Sequence, residues 1–491
     1  MPRNPLRRLS VALRLTEAYQ PSGQAPPTPT SSTSLSTFLR NAKSNFLKDV
    51  KEDPAKAAEA WTVVMGNEAG DLDTLASSIA YSWILSEVHK KPAVPLVQAE
   101  RPDLSLRAEN LYALKLAGLS DNQEELLTLT EIPEFKPFPA HKFALVDHNR
   151  LNDVFTQDNP HAQVDAVIDH HADEGLYRDA NPRTIGPCGS CSSHVGGLCP
   201  PEIPAELATL LLMAILIDTD GLRPGGKATQ VDRDSALSLA PKSTIANKIP
   251  PPSALAPIDH PNPDALYEAQ AIKDLTKSLQ DKKSDVSHLT ALDLLRRDYK
   301  EYSYKLGWAT GQPTIKAGLS TVPSPLKAWA TEGRLEKEGV EWMQRRGLTI
   351  LGVLTSYNTA KKNVVGQKKK EKGKHKREMA WIILEEPVLA KTANDGLTSE
   401  GLARRLWKGL EASKDIDVKI HKKFSFKTVK LPENSKARAY KQGNASATRK
   451  VTAPLLKDIL ENSGSVVPAT NTPKADEAKT DAQAPLPAHS T

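Results

Sequence analysis

Four short apolar runs in this chain each end in an acidic turn, and this repetition strongly constrains the fold. In chain order, the turns are Gly66-Asn67-Glu68-Ala69-Gly70-Asp71-Leu72-Asp73, Val146-Asp147-His148-Asn149, Ile168-Asp169-His170-His171 and Ile217-Asp218-Thr219-Asp220. Apolar runs that alternate with helical patterns predict parallel strands joined by helices. Such sheets bind ligands at the carboxyl ends of their strands, so we expect these turns to meet at one edge.

The pattern of apolar and polar segments predicts an α/β protein with two domains between polar terminal segments. We expect an N-terminal, mainly parallel sheet domain with flanking helices, and a smaller C-terminal α/β domain. Pro/Ser/Thr-rich composition near the start and Pro/Ala/Thr-rich composition near the end predict disorder there. The expected boundaries are an extension at 1–55, the first domain at 56–240, a Pro-rich linker at 241–263, the second domain at 264–460 and a tail at 461–491.

The periodicity within these domains predicts individual elements. We expect strands at 61–65, 143–146, 166–168, 314–319, 348–356 and 379–384, and helices at 74–88, 206–217 and 399–410. Ser399 is a plausible N-cap of the last helix.

The compartment is indicated by the N-terminus and by the cysteines. No apolar stretch reaches the roughly 18 residues of a membrane span. Arg3, Arg7, Arg8 and Arg14 precede any acid, as in a mitochondrial transit peptide, although a disordered extension is the alternative. Only three cysteines are present, which fits a reducing compartment. We therefore expect a cytoplasmic protein, with a mitochondrial location as the alternative.

Two further clusters leave alternatives open. Cys188, Cys191 and Cys199 surround His194, so a zinc site is possible, but a loop with free thiols is the simpler interpretation. The segment from Lys361 to Arg377 contains nine lysines and arginines and a single acidic residue. Such a run is a solvated loop, a surface that attracts polyanions, or a nuclear signal.

The acidic turns carry ligands suited to hard divalent cations. Carboxylate oxygens suit Mg²⁺ and Mn²⁺, and added imidazole moves the preference toward Mn²⁺ or Co²⁺. Two such cations could share a carboxylate and lower the pKa of a water between them. Asp71 and Asp73 could instead cap the following helix, with Asp73 as N-cap. Cationic clamps for phosphate would come from Arg or Lys, unless these are ordinary solvated charges. The candidates are Arg297, Lys300, Arg449 and Lys450.

Taken together, the four turns resemble the motifs of the Asp-His-His phosphoesterase superfamily. Leu289 to Lys300, Gly318 to Val322 and Ser446 to Lys450 resemble segments of the second domain shared by exopolyphosphatases and class II inorganic pyrophosphatases. The resemblance implies an active site in a cleft between the domains and hydrolysis of terminal phosphate from linear inorganic polyphosphate through a metal-activated water.

The resemblance also implies roles for individual residues. The metal ligands would be Asp71, Asp73, Asp147, His170 and Asp218, with Asp147 bridging two or more cations, Mn²⁺ or Mg²⁺ with Co²⁺ possible. Asp147, His148 and His171 would form the catalytic set, and the two histidines would face the substrate phosphate. The substrate-binding set would be Asn67, Arg297, Lys300, Arg449 and Lys450, with Arg449 and Lys450 gripping phosphate from the second domain.

Two positions discriminate subfamilies within the resemblance. Pyrophosphatases of this class carry His where Asn67 stands, whereas exopolyphosphatases and prune proteins carry Asn. Prune proteins replace the second His of Asp-His-His with Arg, and here His171 is present. The sequence thus favours an exopolyphosphatase, with a pyrophosphatase or short-chain or nucleotide phosphohydrolase as the alternative. Inorganic polyphosphate is the expected partner, nucleic acid and membrane are not, and the oligomeric state is left open.

Overall fold

The computed structural model describes residues 34–132, 137–249, 264–359, 374–385, 398–426 and 431–462. The N-terminal 1–33, most of the Pro-rich linker (250–263), most of the basic run (360–373) and the tail after 462 therefore lie outside the described residues. Within the described ranges, no helix is both long and apolar enough to cross a membrane.

A parallel sheet forms the centre of the first domain. Its strands lie in the order β3-β2-β1-β4-β5-β6, and every neighbouring pair is parallel. All four residues of β1 are buried, as expected when helices cover both faces of a parallel sheet. The strands are β1 (Thr62–Met65), β2 (Ala93–Val97), β3 (Leu127–Thr128), β4 (Lys142–Val146), β5 (Gln163–Asp169) and β6 (Arg183–Ile185).

Helices pack on this sheet in one continuous apolar core. They are α1 (Leu35–Glu52), α2 (Pro54–Ala60), α3 (Leu72–Trp83), α4 (Ala108–Leu116), α5 (Cys191–Leu198), α6 (Ala205–Asp218), α7 (Gln230–Leu239), α8 (Ala265–Glu268) and α9 (Gln270–Ser284). A π-helical turn (Ile84–Val88) continues α3, and 3₁₀ turns lie at Arg101–Leu106, Leu129–Glu131, Asp153–Phe155, Ala240–Lys242 and Ala246–Lys248. Helix α6 is apolar around nearly its whole circumference and is almost completely buried.

Two boundaries differ from the sequence-based expectation. The extension expected at 1–55 is wrong for 35–52, because Leu35, Leu39 and Phe46 of α1 are buried in the first core. Helices α8 and α9, expected in the second domain, also pack there through Leu266 and Leu279. The first domain therefore includes both α1 and α9.

The second domain is built on a mixed sheet in the order β12-β13-β11-β9-β8-β7, with β10 paired to β11. Among the described strands of this second sheet, only the β8–β9 pair is parallel. Separate apolar clusters cover its two faces, with α13 and α14 on one and α10, α11 and α12 on the other. The strands are β7 (Tyr299–Lys305), β8 (Thr314–Val322), β9 (Ile350–Thr355), β10 (Tyr357–Asn358), β11 (His375–Ile383), β12 (Val418–Ile420) and β13 (Lys436–Gln442). The helices are α10 (Ala291–Arg297), α11 (Leu326–Trp329), α12 (Arg334–Arg346), α13 (Ser399–Ala412) and α14 (Arg449–Glu461).

The two-domain α/β architecture predicted from the sequence is confirmed. The predicted N-caps are wrong by one or two residues. Asp71 caps α3 by accepting the Thr74 N–H, and Thr398 caps α13 by accepting the Gly401 N–H. In both cases the capping residue is the one whose backbone is still extended just before the helix.

Candidate functional site

The candidate site lies at the carboxyl edge of β1, β4 and β5, which are neighbours in the first sheet. The loop of Asn67 follows β1, Asp147 follows β4, and Asp169 ends β5. Gly66 allows the first loop to lie against α3, because a Cβ there would stand 2.2 Å from Thr74 Cγ2. The topology therefore brings three of the four acidic turns to one edge, as expected from the sequence.

Asp147 occupies the centre of the site in a strained backbone conformation, with a φ of 59°. A left-handed conformation is costly for a residue other than glycine and often marks a functional position. Its Oδ2 accepts hydrogen bonds from the Thr74 hydroxyl at 2.6 Å and the Asn67 amide at 2.8 Å. Its Oδ1 lies 3.3 Å from Nε2 of His170 and 3.6 Å from Nδ1 of His171.

Asn67 therefore holds Asp147 and is not free for the substrate. Its amide nitrogen donates to both the backbone and the side chain of Asp147, and its Oδ1 accepts the Ala69 N–H. The side chain is buried. We expected Asn67 to contact the substrate phosphate, but its side chain instead contacts the carboxylate of Asp147.

The adjacent imidazoles of His170 and His171 are held by different partners. Nδ1 of His170 donates to the Cys188 carbonyl at 3.1 Å, which leaves Nε2 toward Asp147. Nδ1 of His171 donates to Oδ1 of Asp169 at 2.7 Å. Asp169 thus orients the His171 ring.

The charges within this cluster perturb one another. Burial lowers the pKa of His170, but its hydrogen bond to Asp147 outweighs that effect and raises the pKa to about 12. Burial opposes ionisation of Asp147, yet His170 and His171 hold its pKa below the ordinary value. This pairing favours the protonated imidazole of His170, whose charge compensates the buried carboxylate.

Asp73 and Asp218 add two more carboxylates to the same electrostatic cluster. Burial and the charges of Asp147 and Asp218 raise the pKa of Asp73. Burial also raises the pKa of Asp218 to about 6, with Lys283 opposing and Asp71 adding to the shift. Each of these carboxylates is therefore destabilised by its neighbours unless additional positive charge is present.

This donor set fits divalent cations. Ligand atoms of Asp147, His170 and His171 lie within 4.8 Å of one another, and this is the single such group within the described residues. A cation among the crowded carboxylates would relieve their repulsion and displace the proton from His170. The cysteines take no part in that group, and Cys191 instead donates its thiol to the Ile168 carbonyl.

His148 lies beside the cluster and has a different electrostatic character. Its Nδ1 contacts the Val146 carbonyl at 2.9 Å, so the neutral ring carries its proton on Nδ1 and a lone pair on Nε2. Burial lowers its pKa, with Glu68 opposing and Lys300 adding to the shift. The neutral imidazole of His148, which interacts electrostatically with Lys300 of the second domain, can accept or relay a proton.

Basic residues of the second domain lie close to this edge. The positive charge of Lys300 lowers the pKa of His148. Arg449 interacts electrostatically with Glu68, a residue of the first acidic turn. Arg449 is fixed by Asp298, whose Oδ1 lies 2.8 Å from its Nη2. Lys450 is exposed and follows it at the start of α14. Lys300 and Arg449 therefore lie on the side of the second domain that is turned toward the acidic cluster.

Arg297, the fourth predicted clamp, lies elsewhere. Its Nη2 contacts both carboxylate oxygens of Glu109 at 2.8 and 3.0 Å, and its Nε donates to the Leu106 carbonyl. Both side chains of this pair are buried. The expected role of Arg297 in binding phosphate is therefore wrong. Arg297 instead forms a buried ion pair with Glu109 that links the two domains.

Arg377 is the last residue of the basic run and lies at the start of β11 beside the loop that precedes α14. Its Nε donates to the Ala445 carbonyl at 2.7 Å. Its guanidinium is half-buried, and among the described residues no carboxylate pairs with it. Burial accordingly lowers its pKa without an opposing acid.

Sequence reasoning missed the residues that hold Asp73, one of the expected metal ligands. Oδ1 of Asp73 accepts the Ser190 hydroxyl and the Ser192 N–H, and its Oδ2 accepts the Cys191 N–H at the start of α5. Asp232 in turn fixes the preceding loop through the N–H groups of Gly189 and Ser190. The Gly-Ser-Cys-Ser-Ser run was the available signal, since Ser and Gly are typical of helix starts.

Comparison with family models assigns each domain. Residues 61–215 match the DHH family, N-terminal domain, and residues 277–459 match the DHHA2 domain. The two matches define a class of two-domain phosphoesterase, so the chain is a hydrolase. The chain belongs to the DHH family and carries DHHA2 as its second domain.

Similar curated proteins include enzymes named for two substrates. The "Putative exopolyphosphatase" of Schizosaccharomyces pombe is 29% identical over 346 residues, which are 66% of this chain and 80% of that protein. "Exopolyphosphatase PRUNE1" of Rattus norvegicus is 28% identical over 279 residues, which are 54% of this chain and 53% of that protein. The "Probable manganese-dependent inorganic pyrophosphatase" of Bacillus pumilus is 30% identical over 189 residues, 36% of this chain and 54% of that protein.

Proposed function

We propose that this chain is an exopolyphosphatase, which hydrolyses the terminal phosphate of linear inorganic polyphosphate and releases orthophosphate. The observation that carries the proposal is the position of Asp147, His170 and His171 on one domain beside Lys300 and Arg449 of the other. The names of the S. pombe and rat relatives support a phosphate anhydride as the substrate.

The proposed cofactors are two or more divalent cations, Mn²⁺ or Mg²⁺, with Co²⁺ as a further candidate. Their proposed ligands are Asp71, Asp73, Asp147, His170 and Asp218. Bound there, cations would acidify a water and neutralise phosphoryl oxygens. The manganese dependence in the name of the B. pumilus relative supports this class of cofactor.

The protein's own residues then position and neutralise the substrate. Lys300, Arg449 and Lys450 carry the positive charge that phosphoryl oxygens require in the transition state. The ion pair with Asp298 holds Arg449 in place before substrate arrives. Water forms a bond to the terminal phosphorus, the bond to the bridging oxygen breaks, and the shortened chain leaves with that electron pair.

His148 and His171 are the proposed groups that orient and relay protons. Nε2 of neutral His148 can accept a proton, since its Nδ1 proton is committed to the Val146 carbonyl. Nδ1 of His171 is committed to Asp169 in the same way. This leaves Nε2 of each ring for the substrate side of the site.

The second candidate function is hydrolysis of pyrophosphate or of a short-chain or nucleotide substrate. The observation in its favour is the pyrophosphatase relative, which is 30% identical to this chain over 189 residues. This candidate uses the same cations and clamps. It differs in the length of chain that the second domain must hold.

A substrate panel separates the two candidates. Orthophosphate release is measured from long-chain polyphosphate, tripolyphosphate, pyrophosphate, a nucleoside triphosphate and a single-stranded oligonucleotide, each with Mg²⁺, Mn²⁺ and Co²⁺. We expect release from long-chain polyphosphate and none from the oligonucleotide. Brisk pyrophosphate hydrolysis without release from long chains would overturn the proposal.

The compartment belongs to the same proposal. We propose the cytoplasm, with the mitochondrion as the alternative because of the arginines in the first 14 residues. Microscopy of the full chain tagged at its C-terminus, compared with the same chain lacking residues 1–33, distinguishes the two compartments.

A further inference from the structure

The two oxygens of the Asp147 carboxylate have different surroundings. Oδ2 accepts two hydrogen bonds, from Thr74 Oγ1 at 2.6 Å and Asn67 Nδ2 at 2.8 Å. Oδ1 is the oxygen nearer to His170 and His171, whose ring nitrogens lie 3.3 and 3.6 Å away. The carboxylate is 3% exposed as a residue, so water does not exchange these roles freely.

The number of lone pairs then limits what Oδ2 can bind. A carboxylate has about four acceptor positions, two on each oxygen. Donors from Thr74 and Asn67 occupy both positions of Oδ2 at short distances. Oδ1 retains its lone pairs on the side of the imidazoles that, with it, form the group of possible metal ligands.

We propose that Thr74 and Asn67 are positioning residues, which reserve Asp147 Oδ2 for hydrogen bonding and leave Oδ1 as the oxygen that binds divalent cations. This inference rests on the proposed metal site. It assigns to the chain two residues that prepare the central ligand without touching a cation.

Asn67 and Thr74 differ in the further contacts that they make with the backbone. Asn67 Nδ2 also donates to the Asp147 backbone carbonyl at 3.0 Å, so Asn67 stabilises the left-handed backbone as well as the carboxylate. The Thr74 hydroxyl donates to the carboxylate oxygen, whereas the Thr74 backbone N–H donates to Asp71, the N-cap of α3. A change of the Thr74 side chain therefore leaves the helix cap intact.

Thr74 offers a matched pair of substitutions. Thr74→Val removes the hydroxyl and preserves the shape, including the Cγ2 methyl group that lies against Gly66. Thr74→Ser removes that methyl group and preserves the hydroxyl. The two variants therefore separate the effect of the Thr74 hydrogen bond from the effect of its packing against Gly66.

The test measures Mn²⁺ affinity by isothermal titration calorimetry on metal-free protein, together with urea unfolding of the same metal-free samples. Loss of a partner that orients a metal ligand weakens metal binding about 10–100-fold. We expect a loss of this size for Thr74→Val, and an affinity close to the unsubstituted protein for Thr74→Ser. Unchanged Mn²⁺ affinity in Thr74→Val, or an equal loss in both variants, would overturn the inference.

A crystal structure of the unsubstituted protein with Mn²⁺ provides a second measurement that does not depend on the stability of a variant. We expect Mn²⁺ on Oδ1, with Thr74 and Asn67 still within hydrogen-bonding distance of Oδ2. Mn²⁺ on Oδ2, or no Mn²⁺ bound to the chain, refutes the assignment.

The outcome is separable from that of the proposed function. A protein that shows the Thr74→Val effect on Mn²⁺ but does not hydrolyse long-chain polyphosphate supports the positioning role and refutes the substrate. If the protein hydrolyses polyphosphate but its Thr74→Val variant binds Mn²⁺ normally, the proposed substrate is supported and the positioning role is refuted.

Discussion

Replacing Arg297 by Met tests whether this residue joins the two domains or binds phosphate. Its guanidinium is buried against Glu109 and also donates to the carbonyls of Leu106 and Lys283. Removing one partner of a buried ion pair costs about 3–5 kcal/mol, because the remaining charge is left unpaired. Arg107 Nη1 lies 3.3 Å from Glu109 and compensates part of that charge, so we expect about 3 kcal/mol.

The neighbouring Arg296 provides a matched control. It pairs with Asp103 and Asp293, but its side chain is 26% exposed, against 4% for Arg297. Partly exposed pairs contribute about 1 kcal/mol or less. Arg296→Met therefore removes the same charge from the same helix at a much smaller expected cost.

The assay is urea unfolding followed by far-ultraviolet circular dichroism and tryptophan fluorescence, with Michaelis constants measured on the folded enzyme. We expect Arg297→Met to unfold at lower urea while its Michaelis constant stays near that of the unsubstituted protein. The penalty should shrink in a Glu109→Gln background, since the pair is then already broken. If Arg297→Met unfolds normally and raises the Michaelis constant several-fold, Arg297 binds phosphate and the structural assignment is wrong.

Three further predictions follow from named contacts. Asp147→Asn should lower turnover of polyphosphate by several orders of magnitude through loss of the central charge; a near-normal rate would refute its role. Arg377→Met should raise the Michaelis constant for long polyphosphate at low salt but not for pyrophosphate, whereas exposed Lys408→Met should change neither. Burial opposes the shift, but Thr128, Arg101 and Lys43 lower the pKa of Glu131 to about 2. The stability that Glu131→Gln removes should therefore be largest above about pH 4.5 and vanish toward pH 2, and urea midpoints that differ equally at all pH values would contradict this.

Much of the first domain could be predicted because its signals are local. The strand at 62–65, the helix at 205–218 and the acidic turns after β4 and β5 follow from short apolar runs and their ends. Because parallel strands are buried on both faces, their sequences are continuously apolar and easily recognised. The terminal helix α1 was missed since its Lys-rich exposed face and the polar segment before it resemble an extension.

The site could be predicted as a set of residue types, but not as a set of contacts. Adjacent strand ends bring Asp147, His170 and His171 together, which the pattern of turns implies. No local pattern shows that Thr74 and Asn67 donate to one oxygen of Asp147, because their separation of more than seventy residues is closed only by the fold.

The sequence by itself determined the α/β class, the residue types of the proposed metal site and the edge of the sheet at which they meet. Hydrophobic periodicity and the order of strands are sufficient for that. Only the tertiary structure decided that Arg449 remains beside the site, whereas Arg297 is buried against Glu109 between the domains. Two arginines look alike in sequence, and their roles depend on which carboxylate the packed domains place beside each one.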